Sequence, residues 1–241
     1  MSSPTTICCP NPVRGVALKM TEADVCGVPV PESTPNSRVQ TRAFISAEFT
    51  TELETGSEIT QKRADGTICV TDKAPDQLKR LNMSLVVCGL PFPMLQLALG
   101  MNAFVDGDGN IIGGALPSRS QQAEIEANET LQIEIWQFNK DPEACAGGTA
   151  GSAPYVRNIF PLVRNRQLAG SINIAEGVAS ELTIEAIVEE TAGYEPSDPA
   201  DPIMSIPANT TTMQTSGPWG YFCDDTLPDP IEDCAYVAAT S

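Results

Sequence analysis

The 241-residue sequence predicts a mainly β fold: a β-sandwich or curled barrel with one short flanking helix and extended N- and C-terminal arms. Several segments alternate apolar and polar residues with period two, as half-buried strands do. Asp-Gly turns and proline- or glycine-rich stretches separate these segments. Only one short stretch carries both a proline start and a glycine stop of a helix.

Residues 1–37 hold Pro4, Pro10, Pro12, Pro29, Pro31 and Pro35 with little periodicity and are expected as an arm over the core. From Thr41 to Glu54, Ala43, Ile45, Ala47 and Phe49 share one face and Arg42, Ser46, Glu48 and Thr50 the other, with Phe44 out of phase. Glu58 to Arg63 and Ile68 to Val70 read as a hairpin about Ala64-Asp65-Gly66. Asn82 to Gly89 is a strand with Met83, Leu85 and Val87 inward, and Pro91 and Pro93 then open a helix over Met94 to Leu99 that Gly100 ends. Ala103 to Gly114 forms a hairpin about Asp106 to Asn110. Leu131 to Phe138 sets Leu131, Ile133 and Ile135 against Gln132, Glu134 and Trp136. Asn139 to Pro154 is a Gly/Ala-rich loop, and three strands follow over Tyr155 to Gln167, Ala169 to Ala175 and Glu181 to Glu190. One domain spans 1–241, with its core over 38–191 and a loop and C-terminal arm over 192–241.

With 41% hydrophobic and 19% charged residues the chain has the composition of a folded protein. Lys and Arg number 14 against 31 Asp and Glu, and no basic run is present to neutralise phosphates, so specific nucleic acid binding is not expected. Leu85 to Met101, the most apolar stretch, is cut by Pro91 and Pro93 and is too short to span a membrane.

Histidine is absent, which removes Ser-His-Asp and Cys-His catalysis and histidine-ligated metal sites. Carboxylate-pair hydrolysis needs only Asp and Glu, with Glu48, Glu52, Glu134 and Glu185 as strand candidates, but nothing singles out a pair. The eight cysteines include no C-x-x-C, so a zinc site is not expected. Met1 to Pro12 shows no export signal, which favours reduced thiols made in a cytosol, with Cys69 and Cys88 as buried small hydrophobes. Asp106-Gly-Asp-Gly-Asn110 begins like a calcium loop, yet Ile111 stands where the turn glycine belongs and Pro117 where the bidentate Glu belongs, so a β-turn is the better reading. Trp136 and Trp219 read as core or interface aromatics. No catalytic, cofactor-binding or metal-binding residue is assigned.

Arg42 to Ile59 (RAFISAEFTTELETGSEI), Ala64 to Val70 (ADGTICV), Leu78 to Leu81 (LKRL) and Leu85 to Gly100 (LVVCGLPFPMLQLALG) together resemble the major tail tube proteins of long-tailed, siphovirus-type phages of actinobacteria. Tyr155 to Gly170 (YVRNIFPLVRNRQLAG) and Ser216 to Gly220 (SGPWG) continue the resemblance in the same order. It implies a non-enzymatic structural subunit with no cofactor, a β-sandwich with a flanking helix and a loop reaching a neighbour. It further implies hexameric rings sharing a β-barrel and stacking into a tube that delivers DNA, in a virion tail assembled in the host cytoplasm. The implied partners are copies of the same chain, tape measure and terminator proteins, and DNA that passes without specific binding, with no membrane. The proline-rich N-terminal arm and the 139–154 and 192–215 insertions depart from the family pattern. Another virion ring or decoration protein, and a secreted carbohydrate-binding or carboxylate-pair hydrolase β-sandwich, are the alternatives.

On that resemblance the polar strand faces supply candidate lumen residues: Glu48, Glu52, Glu54, Glu134, Glu185 and Glu189. Gly56 to Asp76 carries Lys62, Arg63, Asp65, Asp72 and Lys73 with few core residues and is expected to contact a neighbouring subunit. Arg157, Arg164 and Arg166 are expected to bridge to carboxylates of a neighbouring subunit or strand.

Overall fold

The computed structural model describes residues 11–31, 33–89, 91–140, 154–170, 181–190 and 218–224, with residues 227 and 236. In chain order the elements are β1 (Pro12–Ala23), β2 (Arg38–Thr41), β3 (Phe44–Glu54), β4 (Glu58–Lys62), β5 (Ile68–Lys73), β6 (Gln77–Cys88), α1 (Phe92–Leu99), β7 (Asn102–Val105), β8 (Ile111–Ala115), α2 (Arg119–Asn128), β9 (Thr130–Asn139), β10 (Tyr155–Ala169), β11 (Glu181–Val188) and β12 (Gly220–Asp224). One antiparallel sheet runs β2-β1-β9-β10-β11-β6-β3, and β12 pairs with the first part of β10. β4–β5 and β7–β8 are separate two-stranded hairpins.

The sheet curls. Its inner face gathers Leu18, Met20, Leu131, Ile133, Phe160, Ile184 and Leu85 into one buried core, with Phe44, Ala47 and Phe49 packed against it. A Cβ on Gly15 of β1 would lie 2.6 Å from the Phe44 ring of β3, although the two strands stand far apart along the sheet. The edges β2 and β3 are not paired with each other, so the expected sandwich-like curl is present without closure into a barrel.

α1 lies against the core with Met94, Leu95, Ala98 and Leu99 buried, as expected from Pro93 in its first turn and Gly100 at its end. Gly100 takes φ 66°, and a Cβ there would meet Ile125 Cδ1 at 2.2 Å, so the helix stop is also where α2 makes its close approach. α2 was not expected. It has no buried residue and rests on a capping box, in which Ser118 and Gln121 bond each other's backbone N–H. Among the described residues the expected single helix is therefore two.

Three further expectations change. Pro12–Ala23, placed in an arm, is an interior strand of the sheet paired with β2 and β9; Ala17 to Thr21 are buried on both faces, so no alternation marks them. Ile45 points outward because a bulge between Phe44 and Ser46 resets the phase and turns Phe44 inward instead. Cys69 and Cys88 are exposed free thiols: Cys69 stands on the projecting hairpin, and Cys88 falls on the outward side of β6 by the alternation that buries Val87. Of the strand expected over Ala169 to Ala175, Ala169 is the last residue of β10 and 171–175 lie outside the described residues, as do most of the loops over 139–154 and 192–215.

Candidate assembly surfaces

β11, β6 and β3 bury Leu182, Ile184 and Ala186, with Leu85 and Met83, on the inner side, so their alternate residues form an outward face. Register sets Glu185 beside Ser84 and Ser84 beside Glu48, giving one row across three strands. Neighbouring rows are Thr183-Val86-Ser46 and Ile187-Asn82-Thr50. At the end of this face Glu52 receives Lys79 Nζ at 2.9 Å and Arg80 Nε at 2.6 Å. A register jump after Glu52–Arg80 leaves Lys79 out of the ladder, which turns two consecutive cations onto one carboxylate. Hydrogen bonds from Lys79 and then Arg80 hold the Glu52 pKa down at about 2. Glu52 thus offsets one of the two positive charges at this end, and the exposed Glu48 and Glu185 lie along the rest of the face.

Of the other lumen candidates, Glu54 is exposed at the end of β3, and Glu189, just past β11, lies 3.9 Å from Arg164. Glu134 is a correction. It is 1% exposed, because both faces of β9 are covered, and its Oε2 accepts from Arg157 Nε at 2.6 Å while Oε1 accepts from Gln132 Nε2 at 3.0 Å. Arg157 Nη2 also pairs with that carboxylate, and its guanidinium lies 5.1 Å from the centre of the Trp136 ring. Of the four glutamates named for hydrolysis, Glu134 is inside, Glu52 is doubly paired, and Glu48 and Glu185 flank β6 on one face about 10 Å apart at the backbone.

The three arginines have partners within the subunit: Arg157 fits the expected bridge to a carboxylate of a neighbouring strand, while Arg164 and Arg166 donate to backbone carbonyls. Arg157 bridges to the adjacent strand as above. Arg166 is buried and donates to Leu97 O at 2.9 Å and Glu129 O at 3.4 Å, placing one cation at the C-terminal ends of both helices. Burial lowers its pKa against the opposing pull of Glu129, Glu126 and Glu22. Arg164 donates to Val25 O. Trp219 is half exposed and donates to Asn158 Oδ1 at 3.2 Å.

Among the described residues, β3 pairs with β6 on one side only, so this eleven-residue strand presents a backbone edge with no strand partner there. The β4–β5 hairpin is exposed along its whole length. Gly66 takes φ 87° in its turn, and Asp65 accepts from Thr67 N and Oγ1, which pulls its carboxyl below the usual range. Lys62, Arg63 and Asp65 gather at the tip, while Lys73 pairs with Asp76 at the base and Asp72 stands opposite Ile59. A two-stranded hairpin with no core beneath it is marginal alone.

Sequence reasoning missed the β7–β8 hairpin as a surface. Phe104, Val105, Ile111 and Ile112 are all exposed on it, and Leu116 just beyond. The adjacent pair Ile111-Ile112 beside an Asp-Gly turn, where alternation fails, was the available signal. The turn itself is as expected: Asp106 accepts from Asp108 N and Asn110 N, and those bonds, Asn110 foremost, lower its pKa. Among the described residues no three of His, Cys, Asp and Glu are grouped to hold a metal, and no helix is long and apolar enough to cross a membrane.

No family model matches the sequence, and no curated protein matches it. Among solved structures the chain is similar to the cap of the anti-feeding prophage, a tube-terminating cap, at 15% identity over 76% of this chain and 90% of that one, with a TM-score of 0.33. It is also similar to an Hcp protein at 10% identity, over 72% and 89% of the two chains, with a TM-score of 0.28.

Proposed function

We propose that this chain is the structural subunit of a phage tail tube. Copies join through the β3 edge into rings, six to a ring as the sequence resemblance implies, and rings stack into a conduit for DNA. The observation that carries the reading is the coincidence of an eleven-residue open strand edge with an outward polar face whose exposed row is Glu48-Ser84-Glu185. Edge-to-edge addition of identical copies extends that face around a bore, and a head-to-tail contact of this kind closes a ring when its rotation closes. Phosphates are held by Lys and Arg, so a face on which Glu48, Glu52 and Glu185 outnumber Lys79 and Arg80 lets a polyanion pass. The chain has no catalytic role and no cofactor in this reading. It acts in the virion tail after assembly in the host cytoplasm, with tape measure and terminator proteins as its other partners.

Electron microscopy and sedimentation of the full chain at rising concentration test this. Hollow tubes with a regular ring repeat are expected. A protein that stays monomeric at every concentration, and in virions, overturns the reading.

A further inference from the structure

The two free-standing hairpins differ in charge and share an exposed apolar side. On β4–β5, the pairs Ile59–Asp72 and Gln61–Val70 put Ile59 and Val70 on one face, the register shift after Gln61 sets Ile68 beside Lys62 on the other, and all three apolar residues are exposed. Its tip carries Lys62 and Arg63 against Asp65 alone. On β7–β8, Ile112 is 68% exposed and Phe104 55%, the turn carries Asp106 and Asp108, and residues 102–116 contain no Lys or Arg.

They also sit far apart in one subunit. β4–β5 precedes the start of β6, whose 12 residues extend about 40 Å. β7–β8 follows the other end of β6 after the eight-residue α1, which rises only about 12 Å. The Phe92 ring packs on Gly114, where a Cβ would lie 2.4 Å away, and this contact fixes the base of β7–β8 to α1. A hairpin that is neutral overall but net positive at its tip, at one end of the strand, and an apolar, anionic hairpin beyond the other fit a contact between copies.

We infer that the β4–β5 hairpin of one copy seats on the β7–β8 hairpin of a second copy of this chain, as the ring-to-ring contact of the tube. Lys62 and Arg63 meet Asp108 at the rim, and Ile59 and Val70 cover Val105 and Ile111, which pair on one face, with Ile112 beside them at the bulge. The contact is heterologous, so it propagates along an axis. This inference rests on the tail tube reading and adds the surface that receives the hairpin.

The test is association of the full chain by sedimentation and microscopy, with circular dichroism and thermal midpoint as controls for folding. Lys62→Glu and Asp108→Lys are each expected to weaken association about tenfold by setting like charges together, and the combined variant to return within about threefold of the parent. Ile112→Asp is expected to weaken it by at least about tenfold, leaving separate rings. Parental association in Asp108→Lys and Ile112→Asp, or a combined variant no better than its singles, overturns the inference. Thr50→Lys/Thr51→Lys blocks the β3 edge. If only that variant fails to associate, the hairpin contact is wrong and the tail tube reading stands. If the parent itself never associates, both fall.

Discussion

Phe49 of β3 and Phe160 of β10 stack with ring centroids 4.0 Å apart and planes 7° from parallel, although their strands are three steps of about 4.8 Å apart along the sheet. Only a sheet folded over its own inner face brings them together. The stack therefore reports curl directly, and it anchors the edge strand β3, whose other inward residues are only partly buried.

Phe49→Ala is expected to cost about 3 kcal/mol in urea unfolding, at the low end for an aromatic truncation because the site is not fully buried. Combined with Phe160→Ala, a coupling of about 0.5–1.5 kcal/mol is expected. Strict additivity of the two would mean that the rings do not stack in solution.

The Glu134–Arg157 pair is the costliest single place to remove one partner. Glu134→Gln leaves a buried guanidinium without its counter-charge, and a loss of about 3–5 kcal/mol is expected. Adding Arg157→Met removes the buried guanidinium as well and keeps an apolar stem over Trp136, so the double variant should be more stable than Glu134→Gln alone. Equal or lower stability of the double variant, read by chemical denaturation, contradicts this account.

The same pair shows how far the sequence could be read. Period-two patterning marked β6 and β11 and which of their residues face the core, and Pro93 with Gly100 marked α1 within two residues. Patterning cannot say that a polar face is wet. Glu134 alternates like Glu185, and its partner Arg157 is 23 residues away on the next strand. β1 escaped because burial on both faces erases alternation over Ala17 to Thr21, and α2 escaped because a helix with no buried face has no apolar stripe. Of the candidate surfaces, the β4–β5 hairpin was legible from its Asp-Gly turn and poor core content. The β3 edge was not, since strand order depends on long-range pairing.

Glu52 gives a pH dependence with a definite sign. Its folded pKa lies near 2, below the ordinary 4.5, so its contribution is fully present above pH 4.5 and is lost as pH falls toward 2. Asp65 and Asp106 are shifted in the same direction. Glu22 is raised, by burial first and Glu129 second, and therefore disfavours folding as pH rises above 4.5. Comparing Glu52→Gln with the parent isolates one group: the slope of stability against pH should flatten between pH 4.5 and 2 and be unchanged above. An identical acid slope in the variant means that Lys79 and Arg80 do not hold Glu52 in solution.

The outward row Glu48-Ser84-Glu185 makes the conduit reading testable by charge. The chain carries a formal charge of −17, and a subunit placed so that this row lines a bore repeats its two exposed carboxylates around every ring. DNA is retained where cations displace the counterions condensed on it, and that retention weakens steeply with salt. Tubes of the parent chain are accordingly expected to leave short double-stranded DNA free at low salt. Glu48→Lys/Glu185→Lys replaces both carboxylates by cations on exposed positions outside the core, so the subunit should fold and polymerise as before. Its tubes should retain DNA at low salt, release it as salt rises, and deliver it poorly from assembled virions. If the variant tubes leave DNA free at low salt, this face does not line the bore, whatever the total charge of the chain.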